Sequence, residues 1–523
     1  MAKDVPTYKH LGQIYPGDYL ENIPYEEYLK EQPVQEGLQI FDIRDFGAVP
    51  DGETLNTEAL RDCAAACGKA GGGVILVSGG DFVTGSFTLP SHCTLHIQRG
   101  SSLVASRDVH ALLGDREVRE DPESSGGAFI EIADAEDVTI TGGGTICGRG
   151  EWFVHEPRML PAFWEDHLQD VVLLPRMDQV KELNTLPGSI RTAYRDRIRY
   201  AEDKYEEDLP VLRRPSYMVW FHGCRNVRVE NICLRDAMCW TLHMECCDDV
   251  VIRDLVIDDN RHVANTDGID LSGCRKALVE HCFISCADDG ICLKNPASTG
   301  RATEDIQIHD CRVCTVMSAF KIGTATVHPI RNVRVERCSF FMPDLYPGSV
   351  CGISIESCDG SEVTDIHLKD ISMDHVQCPL YIILDRRNEA GDPYTDLPGE
   401  NAWWGGSVSG ITLEDIRAEH TDLPCIITGF MDRNRQGRTL RRLLRNISIR
   451  GFHVHQDERP AIVQVMDETP EFLTGYPECN AHGDVPASGM YLRHAEGIQL
   501  SDIRIVTRPD DEREVIIYED VTE

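Results

Sequence analysis

The chain has 523 residues, with 51 Lys and Arg against 87 Asp and Glu, and a formal net charge of −36 at pH 7. That balance argues against a nucleic-acid partner, whose phosphates demand a basic footprint, and against an anionic membrane surface. With 41% hydrophobic and 26% charged residues the composition is that of a soluble globular protein, and no apolar run reaches the length that spans a bilayer.

Residues 1–40 are polar and acidic and read as an N-terminal extension without a secretory apolar segment. The 21 cysteines are odd in number and suit free thiols better than a disulfide framework. Both features predict a cytoplasmic protein. Residues 41–523 read as one β domain. Near its start, "NTEALRDCAAACGKAGGG" (Asn56 to Gly73) predicts an amphipathic helix, with Asn56 as N-cap and glycines ending it. Such a helix would cover the open first edge of a stack of strands.

A short pattern then recurs. "AEDVTITGGGTI" begins at Ala135, "CRNVRVENICL" at Cys224, "CDDVVIRDLVI" at Cys247, "CRKALVEHCFI" at Cys274, "TEDIQIHDCRV" at Thr303 and "IRNVRVERCSF" at Ile330. Further copies begin at Gly360, Ser409, Leu444 and Glu496. The first apolar position falls at Val227, Val250, Ala277, Ile306, Val333 and Val363, in steps of 23, 27, 29, 27 and 30. Inside each copy apolar residues alternate with period two, which is the strand signature. Repeats of this length that cannot bury their own faces stack into a solenoid, here an all-β parallel β-helix with rungs about 4.8 Å apart. Cys282, Cys311 and Cys338 recur at rung spacing and read as a ladder of small interior side chains. The CxxC pair Cys311 and Cys314 has no second pair at zinc spacing, so no metal site is expected there. Residues 151–213 break the pattern with charged and aromatic residues of helical character. They read as a helical insertion that either overhangs the working face or is a plain surface excursion.

The chemistry-bearing residues fall inside the repeat. "NTDGIDLSGC" carries Asp267, and 21 residues later "CADDGICLKN" carries Asp288 and Asp289. One rung apart, the three carboxylates should meet on adjacent turns of one face. Crowded like charges push one carboxyl towards its protonated form, which is how a proton donor is made. Lys294 and Lys321 are 27 residues apart, so they are expected to stack beside the carboxylates. Asp270 is either a supporting or a structural residue.

At these motifs, and at "FDIRDFGAVPDG", "GGGTICGRGEWF", "RRPSYMVWFHGCRNV" and "CWTLHMECCDDVVIRDLVI", the chain resembles glycoside hydrolase family 28, the polygalacturonases and their relatives. The resemblance implies a right-handed, single-stranded, pectin-lyase-like parallel β-helix. It implies hydrolysis of α-linked glycosides with inversion, with no metal and no cofactor. Carried over by position, Asp288 is the general acid, Asp267 and Asp289 activate water, and Asn265 holds a carboxylate or a sugar hydroxyl. Acid and base should then lie roughly 6.5–9.5 Å apart. Two family motifs differ. Ser318 in "VMSAFKIGT" stands where Gly-His-Gly has its histidine, and Ser354 and Glu356 in "CGISIESCDG" stand at the cations of Arg-Ile-Lys. A glutamate repels a uronate carboxylate, so the sequence is similar to a divergent bacterial-type branch that includes exo-acting and rhamnogalacturonan-directed enzymes.

Other candidates for substrate contact are Lys294, Lys321, His243, His262 and Arg386, with Trp403 in the loop 385–406 placed to stack on a sugar ring or to pack the loop down. The expected partner is an oligosaccharide or small glycoside, and a homo-oligomer is left open. The leading expectation is an exo-acting inverting glycosidase on short pectin-derived (galacturonide or rhamnogalacturonan-type) oligosaccharides or a related plant glycoside. A lyase or isomerase on the same fold, using Lys294 or Lys321 as base, and a non-catalytic carbohydrate-binding solenoid are the alternatives.

Overall fold

The computed structural model describes residues 19–522, apart from 21, 36, 115–125, 151–213, 262, 264, 344–348, 386–405, 434–438, 458–468, 470, 472–476 and 483–484. The insertion at 151–213, His262, Arg386 and Trp403 lie outside the described residues. The fold is an all-β parallel β-helix whose strands pair in parallel from coil to coil. No described helix is long and apolar enough to cross a membrane. The chain divides into two compact units: residues 1–243, 251–269 and 281–288 form one, and 244–250, 270–280 and 289–523 the other.

In the first unit the alternation expected of strands puts apolar side chains into three interior columns. Phe41, Ile75, Leu95, Ile140 and Val229 stack in register along one wall. Phe82, Leu103, Ile146 and Leu234 form the second, and Phe87, Ile130 and Val219 the third. All are buried. Removing each aliphatic or aromatic side chain from water contributes roughly 1.5–3 kcal/mol, so the stack holds only as neighbouring coils cover one another. Strand Arg225–Arg235 serves two walls by bending at Asn231, which takes a left-handed conformation at φ 50°, a region asparagine tolerates better than branched residues. The Asn231 side chain then accepts from the Lys30 amide at 2.7 Å, fastening the N-terminal extension to the solenoid. Tyr25 donates to Asp258 and Tyr28 stacks on His281 at 4.6 Å from the same extension.

The predicted helix spans Thr57–Lys69 and buries Leu60, Cys63, Ala64 and Cys67 against the first strands. Asn56 sits at the N-cap position but its side chain makes no cap bond. It turns to the first coils, accepting from the Val49 amide at 2.7 Å and donating to the carbonyls of Thr54, Val49 and Val83.

The second unit carries a long column: Ala277, Ile306, Val333, Ile366, Ile411, Ile447 and Ile498. The step after Val333 corrects the sequence reading. Val333 pairs with Ile366, 33 residues on, and Val363 pairs with Ile330. The Gly360 copy enters its strand with an extra turn of residues, and only the backbone ladder reveals the offset. Cys282, Cys311 and Cys338 are buried as expected of small interior residues, and every one of the 21 cysteines is a free thiol.

Candidate active site

Asp267 and Asp288 are brought together by Thr266. Its hydroxyl accepts from the Ala287 amide at 3.1 Å and its carbonyl from the Asp288 amide at 3.4 Å, while the hydroxyl donates to the Val263 carbonyl at 2.9 Å. The Thr241 amide donates to the Asp267 carbonyl at 2.9 Å, locking this turn to the preceding strand. One carboxylate oxygen from each of Asp267, Asp288 and Asp289 lies within 4.8 Å of the other two. Asp267 and Asp289 are buried, whereas Asp288 is partly exposed. The convergence follows the rung reading, but the nearest oxygens are closer than the separation of roughly 6.5–9.5 Å. These are nearest-atom distances between coils about 4.8 Å apart and do not measure the separation of the carboxyl groups.

Asn265 is half-buried, in left-handed conformation at φ 56°, and accepts from the Arg214 guanidinium at 3.1 Å. Arg214 is itself buried and donates to the Met238 carbonyl. It belongs to "RRPSYMVW", a stretch quoted for its resemblance but given no role from sequence. His243 packs in an aromatic cluster, 4.8 Å from Tyr217, 5.0 Å from Trp240 and 6.5 Å from Trp220 between ring centres. Beneath this turn Asp259 is fully buried, accepting from Ala237 N at 2.7 Å and Thr241 Oγ1 at 2.6 Å, and burial pushes its carboxyl well above the usual range.

Asp289 faces a buried ion cluster. Lys321 Nζ lies 3.3 Å from Asp289, 2.7 Å from Glu478 and 3.8 Å from Glu356. Ser354 and Thr324 donate to Glu356 at 2.6 and 2.8 Å. Gly323, at φ 130°, leaves room for this carboxylate, since a Cβ there would meet the Glu356 Cβ at 2.9 Å. Three carboxylates around one ammonium would leave excess negative charge in a dry site, which costs several kcal/mol per ion. Burial accordingly raises the carboxyls of Glu356 and Glu478 above their ordinary range, although Lys321 pulls the other way. The Ser318 amide donates to Asp289 at 3.3 Å, and its hydroxyl is buried without a hydrogen-bond partner.

The expected stacking of the two lysines is not observed. Lys321 pairs in register with Cys292 and Ser354, because the coil step there is 29 residues and not the 27 that separate the two lysines. Lys294 instead forms an ion pair of 2.9 Å with Asp270.

Lys321, Ser354 and Tyr381 form one column on the strands Ser318–Thr326, Ser349–Ser357 and Val376–Leu384. They alternate with Ile322, Ile355 and Ile382 of the interior, so they face outward, yet each is buried. The segment Glu478–His482 covers them. Glu478 bonds Lys321, His482 Nε2 lies 2.9 Å from the Tyr381 hydroxyl, and Cys479 Sγ approaches the Val350 carbonyl at 3.5 Å. Glu478 escaped the sequence reading because "PECNAHG" carries no strand periodicity and lies more than 150 residues beyond Lys321.

The aspartate group offers only oxygens, the donor set of a hard cation, but the Lys321 ammonium beside Asp289 opposes a second positive charge there. The buried thiols of Cys351, Cys378 and Cys479 also lie within 4.8 Å of one another, a soft donor set or a close-packed apolar cluster.

Known proteins are similar to this chain by family, sequence and fold. Residues 199–428 match the family model "Glycosyl hydrolases family 28". A probable polygalacturonase of Vitis vinifera is 23% identical over 404 residues, covering 74% of this chain and 70% of the relative. An exopolygalacturonase of Zea mays is 22% identical over 353 residues, covering 65% and 69%. The exopolygalacturonase structure from Thermotoga maritima superposes with a TM-score of 0.57 at 20% identity, covering 83% of this chain and 91% of its own. The family 28 exopolygalacturonase of Yersinia enterocolitica gives 0.56 at 16%, covering 93% and 78%. With the family match carried by residues 199–428, under half of the chain, the chain is similar to the polygalacturonases of glycosyl hydrolase family 28.

Proposed function

We propose that this glycosidase is an inverting, exo-acting hydrolase of short pectin-derived oligosaccharides. Asp288 gives its proton to the glycosidic oxygen as that bond breaks. Asp267 and Asp289 hold the water that attacks the anomeric carbon and receive its proton, so that acid and base are both consumed in one turnover. The observation that carries the reading is the meeting of three carboxylates, of which only Asp288 is partly exposed. Two oxygens within 4.8 Å can both contact one water, since each bond needs about 2.8 Å. Asn265, held by Arg214, would bind a sugar hydroxyl.

Exo action is supported by the Glu478–His482 segment, which covers the outward column beyond Asp289. A polymer cannot run on over a face that is already covered. The relatives named exopolygalacturonase point the same way and towards pectin as the source of substrate. Glu356 stands where the resemblance puts a cation, and Lys321 is already held by carboxylates. This favours a neutral or rhamnogalacturonan-type residue at that position over a galacturonate. The lyase alternative is weaker, because the two lysines it needs as bases are both ion-paired. Nineteen buried thiols out of 21 free cysteines support a reducing compartment such as the cytoplasm.

End-labelled oligosaccharides test this reading. Monosaccharide should be the sole early product, and the product anomer seen first by proton NMR should be opposite to the substrate linkage. A ladder of intermediate lengths would refute exo action, and the retained anomer would refute inversion.

A further inference from the structure

Away from the aspartates, successive coils of the second unit bring histidines and carboxylates together at one corner. His375 directly follows the strand Glu362–Asp374, His420 lies near the end of the strand Ser407–Thr421, and each takes a left-handed backbone, at φ 56° and 54°. Their positions are set by the ladder, in which Asp374 pairs with Glu419 and the His375 amide donates to the Glu419 carbonyl at 3.2 Å. Both imidazoles aim Nδ1 at one oxygen: His375 at 3.0 Å and His420 at 2.7 Å from Asp374 Oδ1. The rings stack at 4.6 Å with a 19° tilt. On the next coil Asp457 reaches His420 Nε2 at 3.8 Å, and His455 Nδ1 lies 3.2 Å from Glu419.

We propose that Asp374, His375 and His420 form a surface site for a divalent first-row transition ion. One oxygen of Asp374 and one nitrogen from each histidine lie within 4.8 Å of one another. Ligands at about 2.0–2.1 Å from such an ion are themselves separated by roughly 2.9–3.4 Å. The two nitrogen-to-oxygen distances already approach that range, and only the two rings need to draw closer. Imidazole with carboxylate selects zinc, nickel, cobalt or copper over the calcium and magnesium that prefer oxygen alone. The carboxylates of Asp374, Glu419 and Asp457 add a negative local field, which attracts a divalent cation. A bound ion would add a link between two coil corners already joined by the His420–Asp374 contact and the ring stack.

Titration of the full chain with Co²⁺, followed by calorimetry and visible absorption, tests this. Saturable binding of about one ion per chain is expected, with the weak bands of nitrogen and oxygen ligation. His375→Ala and His420→Ala should each weaken it at least about tenfold while leaving far-UV circular dichroism unchanged. A thiolate-to-cobalt charge-transfer band would assign the ion to the buried cysteines and overturn the proposal. So would absent binding, or binding unchanged in both variants.

Discussion

His482 shows how much of this site is decided by single side chains. Its ring is buried and its Nε2 meets the Tyr381 hydroxyl, a bond that a neutral imidazole can accept. Burial first, and Arg493 second, depress its pKa from 6.5 to about 3. The unfolded chain therefore binds a proton at this residue between those values while the folded chain does not, so stability falls as pH drops from about 6.5 towards 3. Glu356 and Glu478 work in the opposite sense. Their raised carboxyls hold protons in the folded state, and the stability they contribute is complete below about 4.5 and lost as pH rises through their elevated values. Melting temperature measured across pH 7 to 4 should accordingly decline less in His482→Phe than in the parent chain. An equal decline in both would show that the segment does not rest on a neutral histidine.

Strands and their register carry the next level. Ile366 is fully buried between Val333 and Ile411. Ile366→Ala leaves a cavity whose walls belong to three coils, and should cost about 2–5 kcal/mol in urea unfolding. A cost under 1 kcal/mol would mean the column is not close-packed there. The repeat was legible because every strand must alternate to bury one face, so Ala277, Ile306 and Val333 could be aligned by pattern alone. The pairing of Val333 with Ile366 was not legible, because turn length is free to vary while alternation persists on either side. Lys294 failed for the same reason. The coil step is 29 residues there instead of 27, so Lys294 does not meet Lys321 and pairs with Asp270, and nothing in "ICLKN" marks that step. The Asn56 position was readable from residue preference, whereas its actual partners belong to other coils and could only be found in three dimensions.

Across the whole molecule, the convergence of Asp267, Asp288 and Asp289 was readable because all three fall inside the repeat one rung apart. Glu478 was not, because it comes from an irregular segment far along the chain that folds back over the outward column. Asp267, Asp288 and Asp289 lie in the turns beside regular strands, and an irregular segment covers the column next to Asp289. Its net charge of −36 fits that arrangement, since a long polyanion is repelled while a short or neutral oligosaccharide is not. The central claim is that Asp288 donates the proton that frees the leaving sugar. Turnover of Asp288→Asn on an oligosaccharide cleaved by the parent enzyme tests it most directly, with melting temperature as the control for folding. The account predicts a loss of about 10²–10⁴-fold in kcat at unchanged melting temperature. Turnover within a few-fold of the parent would contradict it.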